Sequence, residues 1–329
     1  MNVTRSTIAV LVSAVPLACS SGSGSAGSST SASASAPVPS ASASASASAS
    51  ASATASALAT SGPIAPDLVI GVPYPPQEIG KVVNPKAEPK YTGPTGTLRG
   101  TVKISGDPSP TLEVRMPQGA CRGEAVATHG KLFRTGQAGA LADALVAVTG
   151  YRGYVPPSSE VAKLTIHSCA YARRTLVATY GQRVEVSNLD KLETYMPFLD
   201  GAPSKAMIVA VPGGDAVRMY PHQPGHYLLR DNLPNPHLTA DVFVLAYSTH
   251  DVTGLDGKYE IKGIPVGPVN VNAMLPAIGK SVGERVEIKE GDNTLDLTLT
   301  FDAAKDKPKK GTSGDVTAST PAPNATAVP

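Results

Sequence analysis

From Ser20 to Ser61 the sequence is almost wholly Ser, Ala, Gly and Thr, with Val38 and Leu58 as its only larger apolar side chains. Ordering each backbone residue costs roughly 1–2 kcal/mol, and this stretch has no apolar surface whose burial could offset that cost. A flexible coil is expected there. Prolines then recur (Pro63, Pro66, Pro73, Pro75, Pro76, Pro85, Pro89, Pro94), and their fixed φ angles predict a stiff, extended spacer as far as residue 95. The end, 302–329, is Lys, Pro, Thr and Ala without a hydrophobic period, so it reads as a second disordered tail. That leaves 96–301 of a 329-residue chain as the foldable part, room for one long or two small domains.

The first nineteen residues read as an export signal. Arg5 supplies the positive start, and Ile8–Leu17 is an apolar run too short to span a bilayer. The run ends in Val15-Pro16-Leu17-Ala18-Cys19, which resembles the lipobox of bacterial lipoproteins. The resemblance implies a lipidated Cys19 as the first residue of the mature chain. The departures are Pro16 and Leu17, where that family prefers Leu and then a small residue. Ordinary cleavage that leaves Cys19 free is the alternative. Ser20 after the cysteine resembles the signal for sorting to the outer membrane. Of the three cysteines, Cys121 and Cys169 then remain as an even pair in an oxidising compartment, where a disulfide between them is expected. Two separate buried thiols are the alternative.

Between residues 96 and 301 the signals are those of strands. Leu98–Ile104 alternates apolar and polar positions and stops at Ser105-Gly106-Asp107-Pro108. Short apolar runs follow at 145–148, 163–166, 175–178, 183–186, 207–211, 226–229 and 242–245, most of them fenced by Gly, Pro, Asn or Asp. Many brief strands at such spacing predict an all-β protein of the sandwich kind. The one helical piece expected, around 139–144, is a turn or two. Past Tyr247, Leu255-Asp256-Gly257 precedes the strand 258–261, and 293–301 keeps period two throughout.

These residues carry two further resemblances. The run VTGLDGKYEIKGIPVGPVNVNAMLP resembles the carboxypeptidase regulatory-like, transthyretin-like module, with Gly254 in place of that pattern's first Asp. The opening strand GTLRGTVKISG resembles the first strand of the same module, so the middle of the chain could be an insertion. That middle, about 120–247, resembles plastocyanin-like (cupredoxin) domains, through 166–171, 181–190 and the segment from Pro224 to Val242. The implied architecture is a cupredoxin-like β-sandwich at 96–249, its first strand shared at most, and a small transthyretin-like β-sandwich at 250–301.

A cupredoxin implies copper held by one upstream His and then by Cys, His and Met on the last loop, a soft and borderline donor set. Carried onto this sequence, those positions fall on Thr194, Asn232, Asn235 and Leu238. None is a copper ligand of the required kind, so no cofactor is expected. A weak divalent-metal alternative is His222, His226 and His237, although Pro221, Pro224 and Gly225 keep the first two off one helix face. His129, His167 and His250 are isolated and read as solvent-exposed or strand-end residues. The folded region holds no nucleophile elbow, phosphate loop or HExxH. A net charge of +2, with Lys305, Lys307, Lys309 and Lys310 as the one basic cluster, gives no footprint for nucleic acid. The reading is a non-catalytic outer-membrane lipoprotein, held to the membrane by acyl chains, with an envelope protein or a glycan as partner. The competing readings are copper-based electron transfer and carbohydrate binding, the latter on Tyr151, Tyr154, Tyr195 and Tyr220, since the chain has no Trp.

Overall fold

The computed structural model describes residues 69–203 and 207–306; Cys19, the signal and the Ser/Ala run lie outside them. The described chain is all-β, in two sandwiches. It begins with β1 (Val69–Ile70), α1 (Pro76–Val83), β2 (Thr95–Gly106), α2 (Arg122–His129) and β3 (Leu145–Thr149). Next come β4 (Val161–His167), β5 (Ala170–Tyr171), β6 (Thr175–Thr179), β7 (Arg183–Asn188), β8 (Pro197–Asp200), β9 (Val217–Met219), β10 (Gly225–Asp231) and β11 (Thr239–Leu245). The last group is β12 (His250–Val252), β13 (Lys258–Pro265), β14 (Gly267–Leu275), β15 (Lys280–Ile288), β16 (Gly291–Thr294) and β17 (Leu297–Phe301).

One sandwich faces the sheet β1-β9-β7-β4-β5 against the sheet β6-β11-β10-β8. Period two explains the packing: Val184, Val186 and Asn188 of β7 point inward, as do Ala240, Val242 and Val244 of β11. They meet Leu164, Ile166, Leu199, Leu229 and Tyr227 in one core. The chain changes sheets at the β5–β6 corner, so β4 runs parallel to β7 while β6 runs parallel to β11.

The second sandwich encloses the first in sequence. Its sheets are β12-β3-β14-β15 and β13-β2-β16, with β17 continuing along β2. β2 pairs antiparallel with β13 and parallel with β16 and β17, and β3 lies between β12 and β14. The unit expected at 96–249 is thus divided: 95–149 belongs with 250–301, and 150–249 is inserted between paired strands. Gly100 permits the step from β16 to β17, because a Cβ there would stand 1.7 Å from the Leu295 carbonyl oxygen. The core of this sandwich is built from Leu98, Val102, Val146, Val148, Ile261, Val271, Leu297 and Phe301, among others.

Three local expectations are corrected. The spacer over 62–95 is not extended throughout, since α1 forms with Pro76 in its first turn and sets Ile79, Val82 and Val83 against the core of the inserted sandwich. Those three sit at helical spacing, and a proline in the first turn does not interrupt a helix. The piece around 139–144 is a 3₁₀ turn followed by extended chain, while the helix lies upstream at α2, which ends at Gly130. The run 207–211 forms no strand beyond a single bridge from Ala210 to Tyr195, because β9 occupies the free edge of β7.

Candidate functional site

Three of the four positions that the resemblance implies for copper, Asn232, Asn235 and Leu238, fall in the loop between β10 and β11, and Asp231 organises it. Its carboxylate accepts the Met196 N–H at 2.7 Å, the Leu233 N–H at 3.2 Å and the Asn235 side-chain amide at 2.7 Å. The Asn232 N–H donates to the Met196 carbonyl at 2.9 Å. Segment 194–196 and loop 231–238 are therefore stapled together through backbone and carboxylate. Thr194 and Asn232 are exposed, Asn235 is spent on Asp231, and Leu238 is sunk in the core with no exposure. A hydroxyl, two amides and an alkyl group are a donor set that does not fit copper, which prefers thiolate, thioether and imidazole.

The three histidines of the alternative site are not brought together. His226 Nε2 meets Asp241 Oδ1 at 2.7 Å, and its ring stacks on Phe243 with centroids 4.6 Å apart. His222 Nδ1 faces the Tyr227 hydroxyl at 3.1 Å, and burial lowers the pKa of this imidazole. His237 is buried, with Nε2 at 3.0 Å from the Cys169 carbonyl oxygen. Among the described residues no three His, Cys, Asp or Glu side chains converge on a point that could hold a metal ion.

Cys121 and Cys169 are bridged, with their Cα atoms 5.3 Å apart. Ser168 and Cys169 both adopt left-handed backbone, at φ 49° and 60°. A second carboxylate holds them there: Asp190 accepts the Ser168 N–H, the Cys169 N–H at 3.0 Å and the Tyr195 hydroxyl at 2.5 Å. Burial, reinforced by that carboxylate, pushes the Tyr195 hydroxyl far above the ordinary tyrosine range. Asn188 braces the same turn, donating to the carbonyls of Glu193 and Ala210 and accepting the Asp190 N–H.

The tyrosine platform is split. Tyr151 and Tyr154 line a cleft of about 200 Å³ together with Tyr247, whereas Tyr220 lines a separate one of about 290 Å³ with Tyr74 and His222. Tyr195 is in the core.

His129 is the residue that sequence reasoning misplaced. Read as isolated and either solvent-exposed or at a strand end, it is 3% exposed at the end of the helix α2, beside Tyr171 and His237. The signal was slight: Ala125, Thr128 and His129 share the inner face of a helix only two turns long. His250 does sit at a strand end, with Nε2 on the Thr179 hydroxyl at 3.1 Å, and burial brings its pKa down to about 4.

Fold and site together define a two-sandwich β protein whose β10–β11 loop is closed on itself by the Asp231 carboxylate. Among solved structures it is similar to the Cu-containing nitrite reductase (NirK) from Thermus scotoductus SA-01, at 15% identity and a TM-score of 0.23, over 30% of this chain and 25% of that one. The chain thus spans about a quarter of that protein. No family model and no curated protein matches it.

Proposed function

We propose that this chain is a non-catalytic envelope lipoprotein, anchored through Cys19, whose inserted cupredoxin-like sandwich has exchanged copper for a structural loop and serves as a binding or spacing body. The observation that carries the reading is Asp231. A loop built to hold a metal keeps lone pairs free and pointed at one place, while here the loop's polar groups are spent on one another. The order of elements supports it as well: a low-complexity run separates the lipobox-like cysteine from the folded unit, as a tether requires. A glycan is the second reading, favoured by the cleft that gathers Tyr151, Tyr154 and Tyr247, since aromatic faces are what sugars stack on.

The deciding experiment uses copper(II) on the purified mature chain. No intense visible absorption is expected, and the melting temperature should be the same with and without metal. A rise in melting temperature that saturates at one equivalent would overturn the reading, because a ligand held only by the native state must stabilise it. In that event His222, His226 and His237 are the residues to replace in turn. The anchor is tested separately by Cys19→Ser, which should move the protein from the membrane to the soluble fraction; retention in the membrane would refute lipid attachment.

A further inference from the structure

Between α2 and the inserted sandwich lies a sealed polar cluster with too few hydrogen bonds. His129 Nε2, His237 Nδ1 and the Tyr171 hydroxyl are all buried and all lack a partner. The His129 ring lies 5.9 Å from that of His237 and 6.3 Å from that of Tyr171, edge to face in both cases. The tautomer of His237 follows from its one bond. A carbonyl can only accept, so Nε2 carries the hydrogen facing Cys169 and Nδ1 presents a bare lone pair. A proton added there would make a buried N–H with no acceptor, a charge in a place without solvent.

The surroundings of His129 oppose its protonation too. The Arg174 guanidinium, held by the carbonyls of Lys131 and Leu132 at 2.7 and 3.0 Å, and Arg134 both act on it as like charges. The carboxylate nearest those arginines, Asp143, is engaged by Arg134 and by the Arg174 N–H. Asp231 is the one acidic group that favours charge on His237, and its oxygens are taken by Met196, Leu233 and Asn235. Burial comes first for both rings and holds both pKa values below the ordinary histidine value, that of His129 well below. Among the described residues neither histidine belongs to a group of three or more His, Cys, Asp or Glu side chains that could hold a metal ion. The other end of α2 is fixed, because Cys121 caps the helix and is bridged to Cys169.

We propose that α2 is an acid-released cover: protonation of His129 and His237 lifts the last turn of α2 off Tyr171 and loop 231–238, while the Cys121–Cys169 bridge retains its first turn. The sign follows from linkage. A histidine whose folded pKa is depressed contributes full stability above its unfolded pKa near 6.5 and loses it as pH falls below that value. Opening that returns one imidazole to solvent should therefore grow about 30-fold in population between pH 8 and pH 5, and further if both rings titrate. What acid exposes is the surface of the β10–β11 loop.

The test is hydrogen exchange on the oxidised full chain at pH 8, 6.5 and 5, corrected for the intrinsic pH dependence of exchange. Amides of 126–130 should lose at least tenfold of their protection by pH 5, ahead of the strands β4, β7 and β11. His129→Phe keeps the ring and removes its titration, so it should make the profile shallower; His237→Gln, which can still donate to the Cys169 carbonyl, should do the same and is the second variant should the first misfold. His250→Asn serves as the control and should leave the profile of 126–130 unchanged. Protection constant from pH 8 to pH 5, or a pH profile that neither His129→Phe nor His237→Gln makes shallower, would overturn the proposal.

Discussion

Asp143 is the residue whose loss should be felt in both sandwiches. It is 5% exposed and sits at φ 62°, just before β3. Its carboxylate takes both ends of the Arg134 guanidinium, at 2.7 and 2.8 Å, and the Arg174 N–H at 2.8 Å. Its own carbonyl accepts the buried Thr175 hydroxyl of β6, and its N–H donates to the Thr253 carbonyl. Asp143→Asn is the cleaner perturbation, because Asn tolerates the left-handed backbone and keeps one acceptor. It loses the charge, leaving Arg134, only 11% exposed at its side chain, without a counter-ion. Removing one partner of a buried pair costs about 3–5 kcal/mol, and the retained acceptor should bring this to about 2–3 kcal/mol. Asp143→Ala should cost the full amount and about 1 kcal/mol more, because Ala lacks the short polar side chain that lets Asp and Asn take left-handed backbone. The assay is urea unfolding of the oxidised protein, followed by fluorescence and circular dichroism together. Adding Arg134→Met to Asp143→Asn should recover at least half of the loss, since the charge left uncompensated is then gone. A loss under about 1 kcal/mol for Asp143→Ala, or no recovery in the double variant, would refute the reasoning.

Two further outcomes are expected. The Cys121–Cys169 bridge spans 48 residues, so Cys121→Ser should lower stability by about 4 kcal/mol in the chain-entropy picture; two alkylatable thiols in the native, unreduced protein would contradict this. Asp190→Ala strips the acceptor from two backbone N–H groups and the Tyr195 hydroxyl, and at about 1–3 kcal/mol per buried orphan the loss should exceed 2 kcal/mol, with an unchanged midpoint in urea counting against it.

Much of the strand pattern could be read directly from the sequence, because alternation at Val184–Val186, at Val242–Leu245 and over 297–301 is written by period two and a single buried face. That Thr194, Asn232, Asn235 and Leu238 offer no thiolate or imidazole is plain in the sequence, but that Asp231 would tie 194–196 to the β10–β11 loop was not. What could not be read was long-range pairing. β2 has nothing in its own residues to say that its neighbours are β13, β16 and β17, and only a likeness of its motif hinted at an insertion. α1 was hidden by its own prolines, which mark a spacer in composition yet sit harmlessly at the start of a helix. His129 was hidden because a lone histidine on a two-turn helix has no period to betray which way it faces.

The enclosed arrangement also sets an order of events in time. Thr101 of β2 is bonded to the carboxylate of Asp296, 195 residues further on, and at about 5–20 residues per second a growing chain needs roughly 10–40 s to supply that partner. The inserted sandwich is complete before then, since its core closes with β11. Its two ends leave side by side where β3 pairs with β12, Ala147 opposite His250, so an early-folded insert would hold those two strand ends in register instead of leaving a gap of a hundred residues to be closed by chance. On this view the insert acts as a template for its host. β2 gains its first neighbour only with β13, and its other edge stays open to mispairing until β16 and β17 arrive, as late as residue 301.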